Sequence, residues 1–215
     1  MNRAAFTLVE IIMVIVVLGI LASLALPRLD RDVKQEAADS ILSDIRYTQH
    51  LALTDNKHKF NEAKWQRAFW KFSVESCAND TGLFMAIGTD LDYSKEPSRE
   101  ESALDPINGK FIFWENTSEC SEGLEDLDTS SRIFLTNKYA IISVEGTGGC
   151  DGVQHIGFDN TGRPHVSFSN SDQPNYASVM HETCTFTFTM EDDTTFAIDI
   201  LPETGYAYIV GQENS

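Results

Sequence analysis

Basic residues are scarce. The chain sets 16 Lys and Arg against 33 Asp and Glu, a formal net charge of −17, and the deficit lies late: from Lys57 to Ser215 the balance is 11 to 26. A surface that tracks phosphates needs a basic patch or a high domain pI. Nucleic acid is therefore not an expected partner. Cysteine is sparse too. Cys77, Cys120, Cys150 and Cys184 lie far apart, with no C-x-x-C and no histidine at zinc-ligand spacing, which argues against a metal site. The histidines His50, His58, His155, His165 and His181 form no H-E-x-x-H, no serine sits in a G-x-S-x-G elbow, and Gly146-Thr147-Gly148-Gly149-Cys150 precedes neither a GK pair nor a helix. Hydrolase, zinc-protease and nucleotide-binding signatures are thus missing, and the expectation is a non-enzyme with no catalytic residue and no cofactor. Asp90-Leu91-Asp92 and Glu191-Asp192-Asp193 offer oxygens that calcium would accept. They lack an EF-hand pattern and read better as tight polar turns.

One long apolar run is present, and the chain is organised around it. Phe6-Thr7-Leu8-Val9-Glu10 opens an apolar stretch from Ile11 to Leu26 that stops at Pro27. From Phe6 to Leu26 is 21 residues, which at about 1.5 Å per residue matches a hydrocarbon core of about 30 Å. Glu10 is out of place in such a segment, where a mid-membrane carboxylate costs about 2.5–3.5 kcal/mol. It either reaches water at the interface or awaits a partner charge.

The leader Met1-Asn2-Arg3-Ala4-Ala5, followed by Phe6-Thr7-Leu8-Val9-Glu10 and the apolar helix, resembles the class III signal of type IV pilins and type II secretion pseudopilins. The resemblance implies cleavage between Ala5 and Phe6 by a membrane-embedded prepilin peptidase, and methylation of the new Phe6 amine. This chain has Ala5 where the family favours glycine. It also implies that Glu10 pairs with the N-terminal amine of a neighbouring subunit as helices pack into a filament on an inner-membrane assembly platform. A free α-amine is largely cationic at neutral pH, so such a pair can set register between subunits. Arg3 is the only charge in the leader and favours a cytoplasmic N-terminus, placing the rest of the chain in the periplasm.

Pro27 is expected to bend the helix without ending it, because Leu29, Val33, Ala37, Ile41 and Ile45 continue at a spacing of four, widened by Ala38 and Leu42. The expected organisation is a leader over 1–5, a transmembrane and assembly helix over 6–27, an amphipathic helix over 28–56 and a β-rich globular domain over 57–215. Beyond residue 57 the period changes to two. Trp70, Phe72 and Val74 alternate with Phe69, Lys71 and Ser73, and Cys184, Phe186, Phe188 and Met190 alternate with threonines, as in strands with one buried face. Shorter strands are expected at 83–87, 111–114, 133–135, 139–144, 155–158, 165–168, 195–200 and 206–209. The fold class is α+β: a long N-terminal helix, transmembrane then amphipathic, packed on an antiparallel sheet domain. Two stretches, 88–110 and 115–131, read as long irregular loops.

In an oxidising compartment the four cysteines are expected to form two disulfides. Three connectivities are possible; Cys77 with Cys120 and Cys150 with Cys184 are favoured, each closing a loop of a few tens of residues. The segment from His155 to Pro164, the strand Thr183–Met190, and Phe196–Ile200 ahead of Thr204-Gly205 resemble the β domain of H-type minor pseudopilins and FimT-like minor pilins. A basic residue often follows that glycine in the family, and here it is Tyr206. The function implied is a minor pilin or pseudopilin; the alternatives are a binding module displayed on such a filament and an unprocessed single-pass membrane-anchored protein.

Overall fold

The computed structural model describes residues 8–213, and residues 22–32 by their backbone alone. A single helix, α1, runs from Leu8 to Thr54. Two compact units are distinguished, Met1–Ala37 and Ala38–Ser215. In the first, the apolar side chains from Leu8 to Leu21 are all more than half exposed. Its β-branched residues would weaken a helix in water, but a helix satisfies every backbone polar group within the segment, as a lipid environment demands. Among the described residues no helix is long and apolar enough to cross a membrane; the expected 21-residue span includes Phe6 and Thr7 and the side chains of residues 22–26, outside that description. Pro27 lies inside α1, which continues past it, and its side chain is likewise outside the description.

In the second unit, α1 buries Ala38, Ile41, Leu42, Ile45, Thr48 and Ala52, the stripe that spacing by three and four requires. Asp44 lies in the same stripe and is buried with it. The helix ends at Thr54, whose hydroxyl turns back to the carbonyls of His50 and Leu51 at 3.1 Å each.

Among the described residues, eight strands follow in two sheets. The first joins β1 (Trp70–Ser76), β2 (Leu83–Gly88), β4 (His155–Phe158) and β5 (Pro164–His165) in the order β2-β1-β4-β5. The second joins β3 (Ile141–Gly148), β6 (Cys184–Met190), β7 (Thr195–Ile200) and β8 (Ala207–Ile209) in the order β3-β6-β7-β8. All neighbours are antiparallel. Register places Phe72 beside Ile87 and Ile156, and Phe186 beside Ile198, itself beside Ile209. These rows are the core; Phe188 and Phe196 add a stacked pair with centroids 5.0 Å apart.

The second sheet has the expected half-buried strand, with Cys184, Phe186, Phe188 and Met190 inward. The first does not. Lys71 and Ser73 are buried along with Phe72 and Val74, and β2 is buried throughout, because the two long connections cover the outer face. Residues 111–114 make only isolated bridges, Phe111 to Leu104 and Phe111 to Thr129. Residues 133–135 form no strand: a 3₁₀ turn Ser131–Ile133 and α3 (Leu135–Tyr139) flank Phe134, which makes a single antiparallel bridge to Phe84, and α3 is closed by Ala140 in the left-handed region at φ 56°. The next strand therefore starts at Ile141 rather than Tyr139. The connection 115–131 contains a short helix, α2 (Cys120–Glu125).

Disulfides join Cys77 to Cys120 and Cys150 to Cys184, with Cα separations of 5.5 and 5.0 Å. The first ties α2 to the end of β1. The second links the segment just past β3 to the start of β6.

Candidate functional site

The N-terminal site starts at residues that the sequence alone describes. Ala5 and Phe6, the expected cleavage and methylation positions, lie outside the described residues. Glu10 stands in the first described turn of α1, exposed and followed by exposed apolar side chains. A carboxylate near a helix N-terminus is favoured by the helix dipole. The contiguous apolar surface beyond it is far larger than a monomer in water normally presents.

In the second unit, polar side chains on the last turns of α1 clasp the β domain. Gln49 donates from Nε2 to the carbonyls of Gly162 and Thr204, at 2.8 Å each. One amide thereby joins the β4–β5 turn of the first sheet to the β7–β8 turn of the second. Arg46 donates to the Ala207 carbonyl from Nε at 3.2 Å and Nη2 at 2.8 Å, with its guanidinium 5.6 Å from the Tyr206 ring. Gly205 at φ +64° makes this approach possible, since a Cβ there would sit 2.4 Å from the Gly162 carbonyl oxygen and 2.5 Å from Gln49 Nε2. The clasped turns are Asp159–Gly162 and Thr204-Gly205, the motifs singled out in the sequence; Gln49 was not.

The β4–β5 turn is organised by Asp159. Its carboxylate accepts from the Thr161 and Arg163 amides at 2.8 and 3.0 Å and from the Thr161 hydroxyl at 2.6 Å, and His165 Nε2 lies 3.2 Å away. Burial would raise this carboxyl, but the hydrogen bonds from His165 and Thr161 outweigh it and hold it far below the ordinary range.

A second polar centre went unread in the sequence. Arg132 donates to Asp44 from both terminal nitrogens, Nη2 at 2.8 Å, and from Nε to Asp105 at 2.6 Å. Asp105 also accepts from the Ser130 hydroxyl at 2.6 Å and the Ile107 amide at 2.9 Å. Burial raises the Asp44 carboxyl even against Arg132. At Asp105 the effect of burial is overcome by the bonds from Arg132 and Ser130, and the carboxyl is lowered. The two long connections are tied to each other as well, through Arg99 and Asp126 at 2.6 Å. They are braced structure rather than free loops.

Where those connections cover β1 they leave a cavity of about 260 Å³ lined by Lys71, Ser73, Glu75 and Trp114 among others. Lys71 is paired there with Glu96 at 2.7 Å, and burial raises the Glu75 carboxyl. The oxygens of Asp90, Asp92 and Glu101 lie within 4.8 Å of one another, but backbone amides engage them. Asp90 accepts from Ser94 and Lys95 at 2.8 Å each, and Glu101 from Leu91 and Asp92 at 2.7 and 3.1 Å. This is the chemistry of a tight turn.

Residues 1–26 match the family model described as the prokaryotic N-terminal methylation motif. The match covers the N-terminal segment alone and supports a type IV pilin-like reading of it. With the long helix leading into antiparallel sheets, the match supports membership of the type IV pilin and pseudopilin family. Comparison with curated proteins and with solved structures finds no match.

Proposed function

We propose that this chain is a minor pilin or pseudopilin, a structural and non-catalytic subunit of a type IV pilus or type II secretion pseudopilus. The observation that carries the reading is the methylation motif over residues 1–26, heading a helix that runs on to Thr54. Prepilin peptidase cuts between Ala5 and Phe6 and methylates Phe6. The apolar helix holds the subunit in the inner membrane with the β domain in the periplasm. On extraction by the assembly platform, the exposed face from Leu8 to Leu21 passes from lipid to neighbouring subunits, and Glu10 meets the amine of an adjacent Phe6. The resemblance of His155–Pro164, Thr183–Met190 and Phe196–Gly205 to the β domain of H-type minor pseudopilins and FimT-like minor pilins favours that subtype.

Intact mass and N-terminal sequencing of the protein from membranes containing a prepilin peptidase test this directly. The expected chain starts at N-methylated Phe6. A chain that keeps Met1 would leave Glu10 without its partner amine and make the protein a static single-pass anchor.

A further inference from the structure

The segment after α1 holds aromatic rings out in solvent. Phe60 is 94% exposed and Tyr176 75% exposed. The rings are connected inward. His58 meets Phe60 at 4.6 Å and Trp65 at 4.4 Å, both edge-on, Trp65 meets Phe69 at 5.3 Å, and buried Phe69 meets Phe168 at 5.6 Å. A row of rings rooted in the core thus reaches the surface. Gln173, Pro174 and Tyr176 form the opposite wall of a groove of about 480 Å³. The walls are cross-braced, since Gln66 donates to the Asn175 carbonyl at 3.3 Å and accepts from the Asn175 amide. The groove is therefore largely pre-formed.

Its polar groups are uncommitted. Among the described residues, nothing hydrogen-bonds the side-chain amides of Asn61 and Gln173 or the Tyr176 hydroxyl, all of which line the groove. The lining charges, Lys59 and Glu62, are opposite in sign and occupied: Lys59 Nζ lies 3.2 Å from the Tyr93 hydroxyl, and Glu62 accepts the Lys64 amide at 3.0 Å. On a chain of net charge −17 this is a nearly neutral concavity. Aromatic faces suit a ligand with a flat C–H face. Free amides, which both donate and accept, suit one rimmed with hydroxyls.

We propose that this groove binds a neutral oligosaccharide, whose pyranose rings stack on Phe60, Trp65 and Tyr176 while its hydroxyls pair with the amides of Asn61 and Gln173. A polyproline peptide also favours aromatic grooves, but its carbonyls only accept and would leave the amide oxygens of Asn61 and Gln173 without donors, whereas sugar hydroxyls do both. The site lies wholly in the β-domain unit and does not depend on processing of the N-terminus.

The test uses the full chain in a zwitterionic detergent free of sugar headgroups, titrated with chitotetraose, cellotetraose and maltotetraose and followed by tryptophan fluorescence. At least one sugar is expected to give saturable binding, weakened about tenfold or more by Phe60→Ala and by Tyr176→Ala, with the thermal midpoint unmoved because both side chains are exposed. Binding should survive in protein that retains Met1. The proposal is overturned if none of the three sugars binds, if binding is unchanged in both alanine variants, or if decaproline binds and the sugars do not.

Discussion

Arg132 grips Asp44 through both terminal guanidinium nitrogens, linking the start of the α3 region to the buried stripe of α1. The same side chain holds Asp105, so one cation neutralises two buried carboxylates contributed by separate segments. Removing it strands both. Arg132→Met is expected to cost about 3–5 kcal/mol in urea unfolding at neutral pH. The loss should shrink near pH 4, where the stranded carboxylates can protonate. A triple variant with Asp44→Asn and Asp105→Asn added should recover most of the loss; a cost below about 1 kcal/mol for Arg132→Met alone would show the network to be peripheral.

The turn at Gly205 makes a different demand. Its positive φ alone costs an alanine about 1–2 kcal/mol, and the clash with the Gly162 carbonyl and Gln49 adds to that. Gly211 is the control, with φ +85° and nothing within 4 Å of an added Cβ. Gly205→Ala should therefore lower the unfolding free energy clearly more than Gly211→Ala. Equal losses would mean that the clasp yields without cost.

Each disulfide closes a sizeable loop, with sequence separations of 43 and 34, worth about 4 kcal/mol apiece in the chain-entropy account. Replacing either pair with serines should lower stability by about 2–4 kcal/mol, and replacing both should leave little cooperative unfolding at 37 °C. Urea melts of the three variants measure this.

Acid stability follows from carboxyls with opposite shifts. Asp105 and Asp159 are depressed by their hydrogen bonds. Their contribution is fully present above the unfolded value of about 3.9 and is lost as pH falls through the lower folded values. Stability should therefore fall below about pH 4, and the penalty of Asp159→Asn should narrow there. Glu75 is raised by burial, so the folded state holds its proton more tightly and ionisation at neutral pH is unfavourable. Glu75→Gln should stabilise the protein at pH 7, with the gain declining as pH drops through the raised value. Urea midpoints at pH 7, 4 and 3 check both signs.

Helix α1 was legible because its signal is dense: an unbroken apolar run, then Ala38, Ile41, Leu42 and Ile45 at helical spacing. Strands β6 and β7 were legible because one face meets water. In β1 the alternation misled, since Lys71 and Ser73 lie beneath distant chain that no local period records. The charged network was hidden for a related reason. Asp44 falls on the buried stripe and its position gave a clue, but its partners Arg132 and Asp105 sit in segments that looked irregular. The same holds for Gln49, whose two acceptors are backbone carbonyls and leave no mark on composition.

The two disulfide loops neither nest nor overlap: Cys77–Cys120 is complete before Cys150–Cys184 begins. For a chain whose N-terminus stays in the cytoplasm and whose β domain crosses to an oxidising compartment from residue 57 onward, each bond can close as soon as its own second cysteine emerges. Pairing successive cysteines in order of arrival yields the native connectivity, so oxidative maturation can keep pace with export and needs no isomerase to undo an earlier bond.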